Sequence, residues 1–386
     1  MKVAVFTETY HPQVNGVVVF LSDILPLISK KAEVVLFAPG DAELNVEKVN
    51  RNFKIYWVPT YPFPFYEGYR MARIRSATIE KILREEKPNI IHLHAPVLMG
   101  LRALKVSRKL GIPVIATYHT HFPDYLPHLF KGLLPKPFTE IAKLPLKRLI
   151  KYVFSKATCT TAPTLELKKE LESYGVKNVL HIPNGTLFEK FGKGNPARFM
   201  RRYGIPKDRP IVLYVGRVSF EKRLEVLLYA FKKIRKATLV IVGSGPSLKN
   251  YKRIAKELEL NNIIFTGHVS TDVLSDAYSA ADIFVSPSDS ETFGLTFVEA
   301  MHFGLPVIGV DRLGAREIIR HGRNGFCVKA GDSDALVEAI STLIAYPSLR
   351  KRLGAQAKKD AEGYDIKRVA ERFLQLYKKL CRETKP

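Results

Sequence analysis

Short, continuous apolar runs recur along the chain, each closed by a turn or followed by a stretch with helical spacing. Runs of that length, rich in Val and Ile, predict buried strands, and the longer periodic stretches between them predict helices. In the first half, strands are expected near Lys2–Phe6, Glu33–Phe37, Lys54–Val58, Asn89–Leu93, Pro113–Thr117, Ala157–Thr161 and Val179–Ile182. Helices are expected near Val17–Ser29, Ile74–Glu86, Gly100–Lys109 and Leu165–Tyr174. The second half restarts the alternation, with strands near Ile211–Val215, Thr238–Val242, Ile263–Thr266, Ile283–Ser286, Pro306–Val310 and Phe326–Val328. Alternating strand and helix implies an α/β chain with two parallel, doubly wound sheets. The turn-rich segments Pro183–Thr186 and Gly192–Pro196 mark the boundary region. Sheets of this kind bind ligands beyond the carboxyl ends of their strands, so chemistry is sought in the loops there.

One such loop is Ser290–Ala300, which carries Glu291 and Glu299 around a Phe-Gly-Leu turn. A strand precedes it and a short helix, Leu295–Phe303, follows, closed by Gly304-Leu305-Pro306. The helix start offers free N–H groups from Gly294 to Thr296, a seat for a phosphate or a sugar hydroxyl. Carboxylates only accept hydrogen bonds, so an acid beside a bound anion should face neutral hydroxyls. A nucleotide sugar supplies both partners. The plainer reading is a pair of acids that complement a helix dipole.

Composition narrows the field. With 46% hydrophobic and 25% charged residues the chain is an ordinary globular protein, and 386 residues suit two domains. No run approaches membrane-spanning length, and Met1–Phe6 is too short for a signal peptide. Three dispersed cysteines suggest reduced thiols in a cytosol. The net charge of +24 is spread over both halves and fits anionic partners. Nucleic acid is not expected, because no zinc finger, aromatic RNP-type run or long basic arm is present.

More strand exits carry candidate chemistry. Gly216-Arg217 through Glu221-Lys222 offers close backbone approach plus a guanidinium fork and a mobile ammonium for a diphosphate, or simply two solvated cations. Gly243-Ser244-Gly245 and Gly267-His268-Val269 are further glycine-bearing exits, the latter suited to a nucleobase edge. In the first half, Thr7–Val17 runs from a strand into a helix, and Tyr118-His119-Thr120 follows another strand. His92-x-His94 and His119-x-His121 raise the possibility of zinc, but no clear ligand set completes it, and Asp332-Ser333-Asp334 looks like a helix cap. No metal is therefore expected.

In order and context, Gly216-Arg217…Glu221-Lys222, the Gly243/Gly245 loop, the Gly267/Val269 turn and Glu291…Glu299 resemble glycosyltransferase family 4 over essentially the whole chain. The resemblance implies the GT-B fold, two Rossmann-like domains facing a central cleft. It also implies a retaining, metal-independent hexosyltransferase that needs no cofactor, the nucleotide sugar being its co-substrate. The expected organisation is an acceptor-binding domain 1–190, a nucleotide-sugar-binding domain 191–364 and a helix, 365–386, crossing back to the first. Glu299 would bind the donor ribose. Glu291, with the backbone of Phe293, Gly294, Leu295 and Thr296, would hold the donor sugar. Arg217 and Lys222 would neutralise the diphosphate, with Gly216, Gly243 and Val269 lining the donor. Gly16 would face the diphosphate from the other domain, and His119 would sit near the reacting sugar. Where the family often has Gly-Gly, this chain has Asn15-Gly16.

The segment Leu129–Lys156 interleaves seven basic residues and one acid with Leu, Ile and Phe, including Lys143, Lys147, Arg148 and Lys151. That pattern suits a helix on an anionic lipid surface, or one with a core face and a solvated basic face. Glu8, Asn15, Asp124 and Tyr125 are candidates on the acceptor side, and Tyr61–Tyr66 is either an acceptor wall or a packed loop. The Thr7–Gly16 segment, His119-Thr120…Asp124-Tyr125-Leu126 and the basic stretch look most like the diacylglycerol glucosyltransferase branch, with phosphoinositol mannosyltransferases related. The expected activity is hexose transfer, from UDP-glucose first or GDP-mannose second, to a lipid hydroxyl at the cytoplasmic membrane face. A soluble polyol, phospho-sugar or polysaccharide acceptor is the alternative. Outside the transferases, a sugar-nucleotide epimerase or sensor shares the motifs.

Overall fold

The computed structural model describes residues 1–383 apart from 14, 42, 63–69, 95–97, 120 and 122–135, with backbone alone at 62, 70 and 136–143. Asp124, Tyr125 and most of the Tyr61–Tyr66 segment lie outside the described residues.

Two compact units make up the chain: Met1–Asn184 together with Ile366–Pro386, and Gly185–Asp365. The first unit contains β1 (Lys2–Thr7), α1 (Gly16–Ser29), β2 (Glu33–Pro39), β3 (Asn45–Asn50), β4 (Phe53–Val58), β5 (Thr60–Pro62) and β6 (Arg70–Ala72). It continues with α2 (Ser76–Glu86), β7 (Ile90–His94), α3 (Leu98–Leu110), β8 (Val114–Thr117), α4 (Lys136–Phe154), β9 (Cys159–Ala162), α5 (Leu165–Ser173) and β10 (Val179–His181). Its main sheet has the order β10-β9-β8-β7-β1-β2-β4-β3. Every neighbour pair is parallel except β3 with β4. The parallel strands are apolar because helices cover both faces, and Val3–Phe6, Val34–Ala38 and Ile90–Leu93 are almost wholly shielded. The antiparallel edge strand departs from the expected all-parallel sheet. All six of its residues are exposed, so Asn45–Asn50 carries no apolar run to betray it.

The second unit contains α6 (Pro196–Tyr203), β11 (Ile211–Val215), α7 (Leu224–Lys233), β12 (Thr238–Val242), α8 (Leu248–Glu257), β13 (Ile263–Gly267), α9 (Thr271–Ala280) and β14 (Ile283–Ser286). Then come α10 (Leu295–His302), β15 (Val307–Val310), α11 (Leu313–Ile318), β16 (Gly325–Val328), α12 (Ser333–Ala345) and α13 (Pro347–Ala361). The sheet is parallel throughout, in the order β13-β12-β11-β14-β15-β16. The order changes direction about β11 and β14, so the connections after these two strands lead away to opposite sides of the sheet. Leu227 and Phe231 of α7 and Ile340 and Leu343 of α12 cover one face, packing with Val212, Ile241 and Val285. Asp332 caps α12 by accepting from the Ala335 N–H at 2.9 Å, as its sequence position suggested.

The break between units falls at Asn184, six residues before the expected position. Phe188–Lys190 form a 3-10 turn of the second unit, where the Phe188 ring stacks on His302 at 4.3 Å. The last helix, α14 (Ile366–Glu383), belongs to the first unit. Its buried stripe of Val369, Ala370, Phe373 and Tyr377 lies against that unit's sheet, and the Phe373 ring centroid is 5.2 Å from that of His92 on β7.

Candidate functional site

In the second unit the loops after β11, β12 and β13 are laced together by main-chain hydrogen bonds. Gly216 N–H donates to Val242 O at 3.0 Å, Val218 N–H to Ser244 O at 3.0 Å, and Gly243 N–H to Gly267 O at 2.9 Å. This lacing requires glycine at 243. Its φ is +138°, and a Cβ there would stand 1.9 Å from the Gly216 carbonyl oxygen. Val269 is half-buried just beyond β13, and His268 beside it is exposed.

The loops after β11 and β14 carry the charged groups. Lys222 Nζ donates to Glu291 Oε1 at 2.6 Å, both side chains about four-fifths buried (16% and 20% exposed). Their supports are polar and shared. Ser288 and Ser290 hydroxyls reach the Glu221 carbonyl at 3.5 and 3.3 Å, and the buried Glu221 side chain accepts from Ser219 Oγ at 2.5 Å. Arg223 contacts Asp289 Oδ2 at 3.4 Å, and Arg312, from the loop after β15, donates to the Asp289 carbonyl at 3.1 Å. Arg217 is half-buried, and its carbonyl accepts from the Tyr214 hydroxyl at 3.1 Å.

Helix α10 starts from Gly294 in the left-handed region (φ 88°, ψ 63°), a conformation that turns the chain sharply from Phe293 into Leu295. Gly314 N–H holds Glu291 O at 2.9 Å, which pins the turn from the far side. Phe293 and Leu295 are buried and Thr296 half-buried, so this turn presents main chain more than side chain. One helical turn further on, Glu299 is 5% exposed. It accepts from the Tyr278 hydroxyl at Oε2 (2.8 Å), and Lys190 Nζ lies 3.7 Å from Oε1. A buried carboxylate needs such partners to offset its lost hydration.

The first unit places its candidates on two different footings. His119, just after β8, is buried, with Nε2 at 2.7 Å from His94 Nδ1 and, among the described residues, no hydrogen-bond partner at Nδ1. Burial pulls its pKa down to about 3 and also depresses His92 and His94, so the cluster is neutral near pH 7. His92 sits deeper, between the Tyr377 hydroxyl and Thr117 Oγ1, each at 2.7 Å. His121 pairs with Glu170 at 3.0 Å. Among the described residues no group of three or more His, Cys, Asp or Glu is arranged to hold a metal ion.

Gly16 is the exposed first residue of α1, with open space where a Cβ would stand. Asn15 caps that helix, its Oδ1 accepting from Val17 and Val18 at 3.0 and 3.1 Å. Glu8, at the end of β1, is buried and accepts from the Met99 and Gly100 N–H groups at the start of α3. The structure thus gives Asn15 and Glu8 intramolecular partners at helix starts. Burial raises the Glu8 pKa to about 7, outweighing the main-chain donors that lower it. On α4, Arg148 and Lys151 are exposed and Lys147 half-buried, while the Lys143 side chain lies outside the described residues. Tyr278, Lys190 and Arg312 are contacts that sequence reasoning missed. Tyr278 falls on an apolar helical stripe and has no local signal beyond that of a core residue.

Comparison with known proteins places these features in context. Residues 14–187 match the model of Glycosyltransferase Family 4, and residues 197–360 the model of Glycosyl transferases group 1. Alpha-monoglucosyldiacylglycerol synthase of Streptococcus pneumoniae is 30% identical, over 97% of this chain and 86% of its own length. Sulfoquinovosyl transferase SQD2 of Arabidopsis thaliana is 32% identical over 79% of this chain, which spans 59% of that relative. Among solved structures, sucrose-phosphate synthase from Thermosynechococcus elongatus superposes with a TM-score of 0.80 over 98% of both chains at 20% identity.

Proposed function

The chain belongs to glycosyltransferase family 4 and has the GT-B fold, and from that premise we propose that it moves a hexose from a nucleotide sugar to a hydroxyl of a membrane lipid, with retention and without a metal. The observation that carries the reading is the Lys222–Glu291 pair beside the Gly294-headed start of α10. The ammonium suits the donor diphosphate, the carboxylate suits hexose hydroxyls, and the helix start adds N–H donors at the same place.

In the reaction proposed, the bond from the anomeric carbon to the diphosphate oxygen breaks. The lipid hydroxyl oxygen bonds to that carbon on the same face, and its proton passes to the departing phosphate oxygen. Lys222 and Arg217 stabilise the charge that develops on the diphosphate, a kind of contribution that usually dominates catalysis. Two cations and a helix start at the leaving group take the place a metal would otherwise fill. Glu299 receives the ribose diol, and His119 is the first unit's candidate for the reacting sugar.

Two things support a lipid acceptor. The relatives named above include an enzyme whose name specifies a diacylglycerol glycolipid. On α4, Leu144, Leu149 and Tyr152 are exposed among Arg148 and Lys151, and the Tyr152 phenol pKa is lowered by Lys156, with Arg108 and Lys105 adding to the effect. Apolar and cationic side chains mixed on one exposed helix match the boundary of an anionic bilayer. No described helix is long and apolar enough to cross a membrane. The binding proposed is peripheral, and the face proposed for it is the cytoplasmic one.

Thermal-shift titration with UDP-, GDP- and ADP-glucose and GDP-mannose, with and without magnesium, tests the donor reading. Stabilisation by one nucleotide class, indifferent to magnesium, is expected. Incubating that donor with diacylglycerol in anionic vesicles should then yield a glycolipid of unchanged anomeric configuration. No shift with any nucleotide sugar would overturn the donor site. Glycosylation of soluble acceptors alone would overturn the lipid.

A further inference from the structure

One carboxylate oxygen of Glu299 is held by a buried phenol. We propose that Tyr278 is a positioning residue that orients the Glu299 carboxylate for the ribose of a nucleoside diphosphate, an inference that rests on Glu299 receiving that ribose.

Tyr278 lies near the end of α9 and is completely buried. Its ring is fixed on several sides: stacked on Phe303 (5.3 Å between centroids, 20° between planes), edge-on to Phe191 at 6.1 Å, and tilted to Phe284 at 6.3 Å. From that position its hydroxyl donates to Glu299 Oε2 at 2.8 Å. Burial, then the adjacent carboxylate, hold the phenol pKa well above its ordinary value, so the hydroxyl remains a donor across the working range.

A glutamate has three rotatable bonds, and a ribose diol presents two hydroxyls at fixed spacing. Catching both at once requires the carboxylate plane to be set in advance. Anchoring Oε2 to a ring that cannot move sets that plane. The second oxygen, Oε1, has Lys190 Nζ at 3.7 Å.

Tyr278→Phe keeps every ring contact and removes only the hydroxyl. The test measures Kd by calorimetry for UDP and for 2′,3′-dideoxy-UDP, with the GDP pair in parallel, on wild type, Tyr278→Phe and Glu299→Ala. Wild type should favour the ribonucleotide over its dideoxy counterpart. In Tyr278→Phe the ribonucleotide should weaken about tenfold, as expected for a lost hydrogen bond to a charged group, with the dideoxy Kd unmoved. The preference should then fall toward that of Glu299→Ala. In turnover, KM for the donor should rise by a similar factor with kcat within about twofold, the mark of uniform binding lost. Equal weakening of both nucleotides would show that Tyr278 is only structural and overturn the inference. A ribose preference lost in Glu299→Ala but intact in Tyr278→Phe would overturn it while leaving the ribose reading in place. A wild type with no ribose preference would overturn both.

Discussion

Lys222 and Glu291 pair at 2.6 Å, and each is mostly buried. The two charges therefore form one unit, and removing either leaves the other in poor surroundings. Lys222→Ala and Glu291→Ala should each lower kcat by about a hundredfold or more, with far-UV circular dichroism unchanged. Near-normal turnover in both would remove the donor assignment. Glu8 yields a prediction of another kind. Its pKa is about 7 in the fold against an ordinary 4.5. An acid raised in this way contributes its full share of stability below pH 4.5 and loses it as pH climbs through 7. Glu8→Gln should therefore gain on wild type by about 3 kcal/mol between pH 4 and pH 8, read from urea unfolding at each pH. A constant difference across that range would refute the shift. That the glycines and charged residues at 216–223, 243–245 and 289–294 lie in loops after strands was legible in the sequence, because loop positions advertise polar chemistry. Glu8 was legible as a polar residue at a strand end, but its attachment to α3 was not, since β1 and α3 are brought together only by the fold.

At the level of elements, the strands of both parallel sheets could be placed from apolar runs to within about two residues, the usual uncertainty at an element end. Burial on both faces makes such runs unmistakable. β3 and the small β5–β6 pair escaped notice because the exposed edge and the three-residue strands leave no periodic trace. The loops were legible as strand exits, but their lacing was not, because a carbonyl–amide contact across two loops has no sequence signature. That lacing makes Gly243 the most sensitive backbone position of the group. Gly243→Ala should force Gly216 aside, lowering Tm by several degrees and weakening nucleotide binding together. A variant with unchanged Tm and affinity would show that the loops can adjust. At the opposite extreme, Asn15→Ala removes a helix cap and the Asn15 Nδ2 hydrogen bond to Thr9 Oγ1 (2.7 Å), and should cost about 2 kcal/mol in chemical denaturation.

For the whole molecule, charge and connectivity matter most. Lys147→Glu, Arg148→Glu and Lys151→Glu together should weaken sedimentation with anionic vesicles at least tenfold and flatten its salt dependence. Unchanged sedimentation would remove the membrane surface from α4. Deleting everything after Asp365 should leave the second unit able to bind nucleotide while the first loses cooperative unfolding, because Phe373 and Tyr377 leave His92 uncovered. The place of α14 has a further consequence. A ribosome delivers β1 through β10, then the whole of Gly185–Asp365, and only afterwards the helix that closes the first sheet. During synthesis the second unit can be finished while its predecessor still shows an apolar strip, so chaperone demand and exposure to proteases should be concentrated in the earlier-made unit until the final turn of α14 has emerged.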